Sequence, residues 1–451
     1  MTAPTGYAAP PIVPAPRAAA RIIDRSTALT AAWVGALVVG TWPLVLAAAG
    51  PDLPVVGIIA HVSGMLAGYG VLVLLMLMAR SPALERGVGA DVLARWHSKA
   101  GRAVVGLVLV HAVGAIAAWA QLTGVGFLLG TWQVLGMPAM PAAAAGTVLM
   151  LVAAAASVRA ARRKLRHETW HGVHLLMYLA VALGFAHMLA GPDLVGHPLL
   201  QIGWALAYTH VFVLLLRHRV LTPLRQATRH RLRVADVRAE GPGVVSIVVA
   251  GDHLEELHAE PGQFFRWRFL TPDHWGNAHP FSLSAAPTAT ALRLTVKALG
   301  DGTRDLQRVP VGTWVIAEGP YGAVTSARRT RRNLLLVAGG VGITPMRALF
   351  ETLPLDAGED LLLLYRARTV EELLFRDELD AIAARRGARV AYLLGADREP
   401  LSAAGLRRLV PDLVERDVYL CGSPSLMAAV RGSLRAAGLP PQQLHEERFD
   451  V

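Results

Sequence analysis

Cysteine is almost absent from this 451-residue sequence. Cys421 stands alone, which excludes an internal disulfide and fits a reducing compartment for the half that carries it. Charge is scarce too, at 17% of residues, and aromatic residues make up only 6%. With 53% hydrophobic residues and a mean hydropathy of +0.42, the chain is too apolar for an ordinary soluble protein. The shortage of charge is local. Residues 28–216 are nearly uncharged between short basic breaks, whereas 230–451 has the mix of a soluble α/β chain. The net charge of +11 therefore does not mark a nucleic-acid binder, because much of it flanks the apolar stretches. The stretch Met1 to Pro16 is rich in alanine and proline and reads as disordered. No short apolar run with a cleavage site precedes the first long one, so no removable signal peptide is expected.

What the sequence does contain is six long apolar runs, at 28–50, 55–79, 97–120, 141–158, 171–190 and 197–216. Each is near the roughly 20 residues that cross a bilayer as a helix. Basic residues alternate between them. Arg17, Arg21 and Arg25 precede the first run, and Arg80, Arg86 and Arg95 separate the second from the third. Arg159, Arg162, Arg163, Lys164 and Arg166 separate the fourth from the fifth, and Arg217, Arg219 and Arg225 follow the sixth. The alternate loops carry only Asp52 and Asp193. The positive-inside rule then places both termini in the cytoplasm.

Two of these runs hold paired histidines. His97 and His111 lie fourteen positions apart, and His174 and His187 thirteen. Along a helix axis either spacing spans about 20 Å, roughly two-thirds of the hydrocarbon layer. Ionisable groups inside a membrane are costly and are kept for function. Two helices side by side would offer two imidazole pairs at two depths, which suits two stacked iron porphyrins with histidine on both sides. The topology orders the pairs: His97 with His174 near the cytoplasmic face, His111 with His187 near the outer one. Thirteen residues leave the second pair about 140° apart on a straight helix, a mismatch that the sequence does not resolve. His171 competes with His174 as a ligand, while His61 and His210 read as packing or hydrogen-bonding groups.

The segment Arg217 to Arg233 reads as a basic linker on lipid headgroups. From Leu232 short alternating strands separated by glycine and proline suggest an antiparallel barrel to about residue 325. Within it, His279–Pro280–Phe281–Ser282 offers an aromatic face, a hydroxyl and a chargeable ring, which suits a flavin. Val296–Lys297 leads to a turn whose Gly302 and Thr303 read as the capped start of a helix able to hold phosphate, with Thr303 as N-cap. An ordinary strand and an ordinary turn explain these two stretches equally well when each stands alone. The buried strand Asn333 to Ala338 then runs into Gly339–Gly340–Val341–Gly342–Ile343–Thr344–Pro345. Strand, glycine loop and capped helix, with Thr344 as N-cap and Pro345 as first helical residue, let a dinucleotide pyrophosphate approach the backbone. Arg366 and Arg368 follow the next strand and suit a ribose 2′-phosphate, favouring NADPH, with NADH as the other nicotinamide substrate. Cys421–Gly422 follows a later strand, and Phe449 near the terminus would either cover a flavin or fray harmlessly.

These motifs, in this order, resemble the ferric reductase and NADPH oxidase superfamily, particularly its compact bacterial members. The membrane half looks like its six-helix domain, and His97, His111, His174 and His187 match the haem ligands. The soluble half looks like the ferredoxin–NADP reductase fold. There Phe281 and Ser282 match flavin-contacting positions, and Gly339 to Pro345, Arg366, Cys421–Gly422 and Glu447–Arg448–Phe449 match NADPH-site and flavin-covering positions. Soluble relatives often have Arg where this chain has His279. The resemblance implies a membrane all-α six-helix bundle plus an antiparallel β-barrel for FAD and a Rossmann-like α/β domain for NADP. The domains expected are a disordered 1–25, a haem-binding 26–218, a linker 219–231, a flavin barrel 232–328 and a nucleotide domain 329–451. The function implied is electron transfer from cytoplasmic NAD(P)H through FAD and two b-type haems to an extracytoplasmic acceptor. Ferric iron is the first expectation for that acceptor and dioxygen, giving superoxide, the second. A membrane-anchored flavin reductase without haem, and a transporter with an appended redox domain, are the readings of another class.

Overall fold

The computed structural model describes residues 35, 40–42, 53–158, 167–191, 193–272 and 274–446. Most of the first apolar run, the basic loop Arg159 to Arg166 and the terminal Glu447 to Val451 lie outside these residues. Two compact units form, one reaching Val220 and the other holding Leu221 onward together with the short segment Glu85–Asp91.

The first unit is helical: α1 (Val55–Leu77), α2 (Ala90–Thr123), α3 (Phe127–Leu135), α4 (Met140–Ser157), α5 (His167–Ala190) and α6 (Pro198–Leu216). Five of its helices, α3 excepted, are long and apolar enough to cross a membrane. In lipid no water satisfies the backbone, so apolar runs of this length close their hydrogen bonds as helices. Five of the six expected spans are thus described, and the first lies outside the described residues. Proline near the first turn starts α4 and α6, where its missing N–H costs nothing. Against α5, α4 packs closely through Gly146. A Cβ there would sit 2.9 Å from the Ala180 carbonyl oxygen, so only glycine permits the approach. Tyr69 of α1 and Trp204 of α6 stack with ring centroids 4.8 Å apart, and Tyr208 donates to the Gly68 carbonyl at 3.2 Å. The uncharged connection between the third and fourth apolar runs is not all loop, since it contains the helix α3. After α6 the chain continues through a π-helical turn, Arg217–Leu221, into α7 (Thr222–His230), so most of the basic linker is helical.

The second unit begins with two three-stranded antiparallel sheets. One orders β1 (Arg233–Gly241), β2 (Val244–Ala250) and β5 (Ala291–Lys297). The other orders β4 (His279–Ser282), β3 (Phe264–Phe269) and β6 (Val315–Tyr321). Single bridges, Arg233 to Trp314 and Leu283 to Leu294, tie the sheets together. Strand β3 shows the logic: Phe265, Trp267 and Phe269 alternate into the shared core while Arg266 and Arg268 take the other face. The remainder is an all-parallel sheet ordered β11 (Leu444–Glu446), β10 (Arg416–Cys421), β7 (Asn333–Gly339), β8 (Leu361–Ala367) and β9 (Arg389–Leu394). Its crossovers include α8 (Ile343–Thr352), α9 (Arg376–Arg386) and α10 (Pro424–Ala436). Both faces are covered by apolar side chains, which is why Leu334 to Ala338 read as one unbroken hydrophobic run.

Candidate functional site

In the membrane unit the four histidines meet as two pairs. The rings of His97 in α2 and His174 in α5 have centroids 6.1 Å apart at an interplanar angle of 75°. Those of His111 and His187 are 6.0 Å apart at 45°. The angular mismatch expected from the thirteen-residue spacing does not keep the second pair apart. His171 is exposed, and the ring facing His97 belongs to His174. Outside the pairs, His61 lies 2.7 Å from Asp193.

Proton counting orients these rings. The Nδ1 of His111 lies 2.8 Å from the Ala60 carbonyl, and that of His97 lies 3.3 Å from the Leu74 carbonyl. A carbonyl only accepts, so each Nδ1 carries the proton and each Nε2 is left as a bare lone pair. A bare Nε2 is what a metal ion takes, and a carbonyl partner behind it is the usual support for such a ligand. Space for His111 comes from Gly64, where a Cβ would fall 2.5 Å from the ring. His187 differs, because its buried Nδ1 has no hydrogen-bond partner among the described residues.

In the soluble unit, β4 is the candidate flavin strand. Phe281 faces Phe265 across the ladder and stacks on His279, with centroids 6.0 Å apart and planes 16° apart. Ser282 is buried and its hydroxyl has no partner among the described residues, an orphan that a ligand hydrogen bond would satisfy. Gly302 packs against His279, since a Cβ there would meet the ring at 3.3 Å. Two stretches far apart in sequence are therefore neighbours. One expectation is corrected here. Thr303 is not an N-cap: Gly300 caps the five-residue helix Asp301–Asp305, and the Thr303 hydroxyl accepts from the amides of Leu299 and Gly300 at 2.8 and 2.9 Å. Val296 is fully buried, and Gln307 holds its carbonyl, so its side chain packs the core. Lys297, next to it, ends β5 opposite Val244.

The glycine loop lies at the carboxyl ends of the parallel strands, where open α/β sheets bind ligands. Gly339 ends β7, Gly340 takes a left-handed φ of 55°, and Gly342 lies directly on Cys421–Gly422 at the end of β10. A Cβ at Gly342 would sit 2.5 Å from the Cys421 carbonyl oxygen and 2.7 Å from the Gly422 Cα. The helix starts earlier than the sequence suggests. Gly342 is the N-cap, and Thr344 and Pro345 lie inside the first turn, because the Thr344 hydroxyl donates back to the Val341 carbonyl at 3.0 Å. Arg366 ends β8 and donates to the carbonyls of Gly395 and Asp397, which leaves Arg368 as the exposed guanidinium of the two. Phe449 lies outside the described residues.

Local sequence gives no sign of two further groups. Tyr365 is fully buried beneath the glycine loop, donates toward the Gly340 carbonyl at 3.3 Å, and has its phenol pushed up to about 12 by burial. Arg293 of β5 and Arg347 of α8 both grip Glu378 of α9, at 2.8 and 2.7 Å, joining the antiparallel part to the parallel sheet. Only the fold brings these three together.

Residues 63–185 match the family described as ferric reductase like transmembrane component, and residues 336–432 match the oxidoreductase NAD-binding domain. A ferredoxin–NADP reductase B of Sorangium cellulosum is 31% identical over 189 residues, 38% of this chain and 77% of that one. The chain belongs to the ferredoxin–NADP reductase family. It joins that reductase module, with its oxidoreductase NAD-binding domain, to a ferric-reductase-like membrane domain. Similar too is the ferredoxin reductase component of a 3-ketosteroid-9-alpha-monooxygenase of Mycobacterium tuberculosis, 32% identical over 48% of this chain and 64% of its own. The glycine betaine monooxygenase reductase subunit of Chromohalobacter salexigens is 28% identical over 49% of this chain and 64% of its own. The chain therefore spans just under two thirds of the length of these two relatives.

Proposed function

We propose that the chain is a transmembrane electron-transfer oxidoreductase that takes electrons from NAD(P)H and delivers them across the membrane to an acceptor, ferric iron. FAD would bind the reductase module, and two b-type haems would lie between α2 and α5. The observation that carries this reading is the separation of the imidazole pairs. Two metal–nitrogen bonds of about 2 Å, plus about 1 Å from each nitrogen to its ring centre, total about 6 Å. The observed 6.1 and 6.0 Å leave room for one iron in each pair, and the Nδ1 contacts of both α2 histidines leave their Nε2 atoms without a proton. When bound, FAD accepts a hydride and releases electrons singly, and haem iron carries one electron at a time.

The chain's own residues hold these groups and control access. His97 with His174, and His111 with His187, would each hold one haem iron, and an acceptor would then take its electron without binding the metal. The Ser282 hydroxyl and the Phe281 ring offer a hydrogen bond and a flat face to flavin. Gly339, Gly340 and Gly342 allow a pyrophosphate to approach the start of α8. Arg368 supplies a cation for a 2′-phosphate, with Arg366 holding the loop beside it, which favours NADPH over NADH. His97 and His174 lie on the side of the basic loops, the cytoplasmic side together with both termini. An anchored flavin reductase without haem would have no use for two matched imidazole pairs.

The test uses the full chain reconstituted in vesicles and given NADPH, with ferrous iron and superoxide measured separately. Ferrous iron in excess of superoxide is the expected result. Superoxide alone would make dioxygen the acceptor, and absence of any b-type haem absorption would leave only a tethered flavoprotein.

A further inference from the structure

Three donors and acceptors meet at one hydroxyl behind the His174 ring. Ser157, in the last turn of α4, donates its only hydroxyl proton to the Ala153 carbonyl at 2.7 Å. Its oxygen is then restricted to accepting. The Trp170 indole N–H donates to it at 3.2 Å, and His174 Nδ1 faces it at 3.4 Å. With the serine proton committed elsewhere, the His174 contact exists only if Nδ1 carries the proton. That fixes the tautomer and leaves Nε2 without a proton, on a ring whose centroid lies 6.1 Å from that of His97. The Trp170 ring also stacks on His174, with centroids 5.5 Å apart and planes 21° apart, which fixes the orientation of the imidazole plane.

The other three histidines lack this arrangement. His97 and His111 lean on backbone carbonyls of α1, which no side-chain substitution removes, and His187 Nδ1 has no partner among the described residues. His174 is thus the one member of the four whose support is a side-chain pair.

We infer that Ser157 and Trp170 are positioning residues for His174 and set the electronic character of the inner haem alone. The inference rests on the haem reading above. A hydrogen bond at Nδ1 makes an imidazole a more basic ligand and favours ferric iron, so losing it raises the midpoint potential of that haem. Trp170 contributes by ring contact and by sharing the serine oxygen, and neither residue touches iron.

The experiment is a spectroelectrochemical titration of the full-length protein in nanodiscs, with His97→Ala used to assign the inner haem. Ser157→Ala should raise the inner midpoint and leave the outer one unmoved. Ser157→Thr, which keeps the hydroxyl, should return the inner midpoint toward that of the parent. Trp170→Phe keeps a stacking ring without the N–H, and should move the inner midpoint less than Ser157→Ala does. Loss of the inner haem in Ser157→Ala, recovered in Ser157→Thr, would support the same role. Two intact haems with unmoved midpoints in Ser157→Ala would overturn it, as would equal shifts of both. Absence of haem from the parent protein would instead defeat the reading beneath it, a different and recognisable result.

Discussion

His111 shows what a single residue does here. Its ring is wedged against Gly64 and its Nδ1 is held by the Ala60 carbonyl, so its Nε2 carries no proton, and its ring centroid lies 6.0 Å from that of His187. Replacing it with alanine should abolish reduction of an acceptor on the far side of the membrane. NADPH oxidation with a soluble dye on the module side should stay within about twofold, since the hydride site is untouched. Stopped-flow assays on sealed vesicles measure both, and equal loss of both would contradict the proposed order. Gly342 gives a second residue-scale test. Gly342→Ala drives a methyl group into the backbone of Cys421 and Gly422, which cannot yield as a flexible side chain can. It should cost about 1–3 kcal/mol of stability in a thermal melt. It should also raise the KM for NADPH more than it lowers kcat. The residues behind these two predictions were legible in sequence to different degrees. The histidine spacing and the glycine loop announce themselves. The cap positions did not, because Thr303 and Thr344 turn their hydroxyls back on neighbouring backbone groups, and no pattern in one dimension separates that from a cap.

At the scale of elements, α3 and the charged clasp were both hidden. The stretch 121–140 is uncharged and carries Pro138 near its end, so composition marks it as a connection, yet Phe127–Leu135 is helical. That these stretches are strands follows from alternation and burial, while their order in the sheets and the meeting of Arg293, Glu378 and Arg347 depend on distant elements docking. Arg293→Ala should therefore loosen the hold of the antiparallel sheets on the parallel one. Its effect would be read as a fall in the rate of flavin reduction by NADPH greater than any change in KM. Burial pushes the Glu378 carboxyl up, but Arg293 and Arg347 more than offset this and hold it below the usual carboxylate range. Asp417 of β10 behaves alike. Burial pushes it up, while the His445 ring and the amides of Thr330 and Arg331 bring it down. A group lowered in the folded state stabilises fully above its unfolded value of about 4 and loses that contribution as pH falls through its folded value. The full-length protein should thus melt at progressively lower temperature as pH drops below about 4. Asp417→Asn should be less stable at neutral pH and flatter in that acid range.

For the whole molecule, the membrane domain and the reductase module were each legible as a class, from apolar runs in one half and alternating strands with a glycine loop in the other. What sequence left open was whether two histidine-bearing helices face each other. That needs a rotation about each axis, fixed by packing such as Gly146 on Ala180, and pattern alone does not supply it. Haem content is the most direct measure of the central claim. A pyridine haemochrome assay on the purified full-length chain should give two b-type haems per polypeptide, falling to about one in His97→Ala and in His111→Ala, whose partners lie in separate pairs. A parent protein without haem, or variants that keep both haems, would contradict the account.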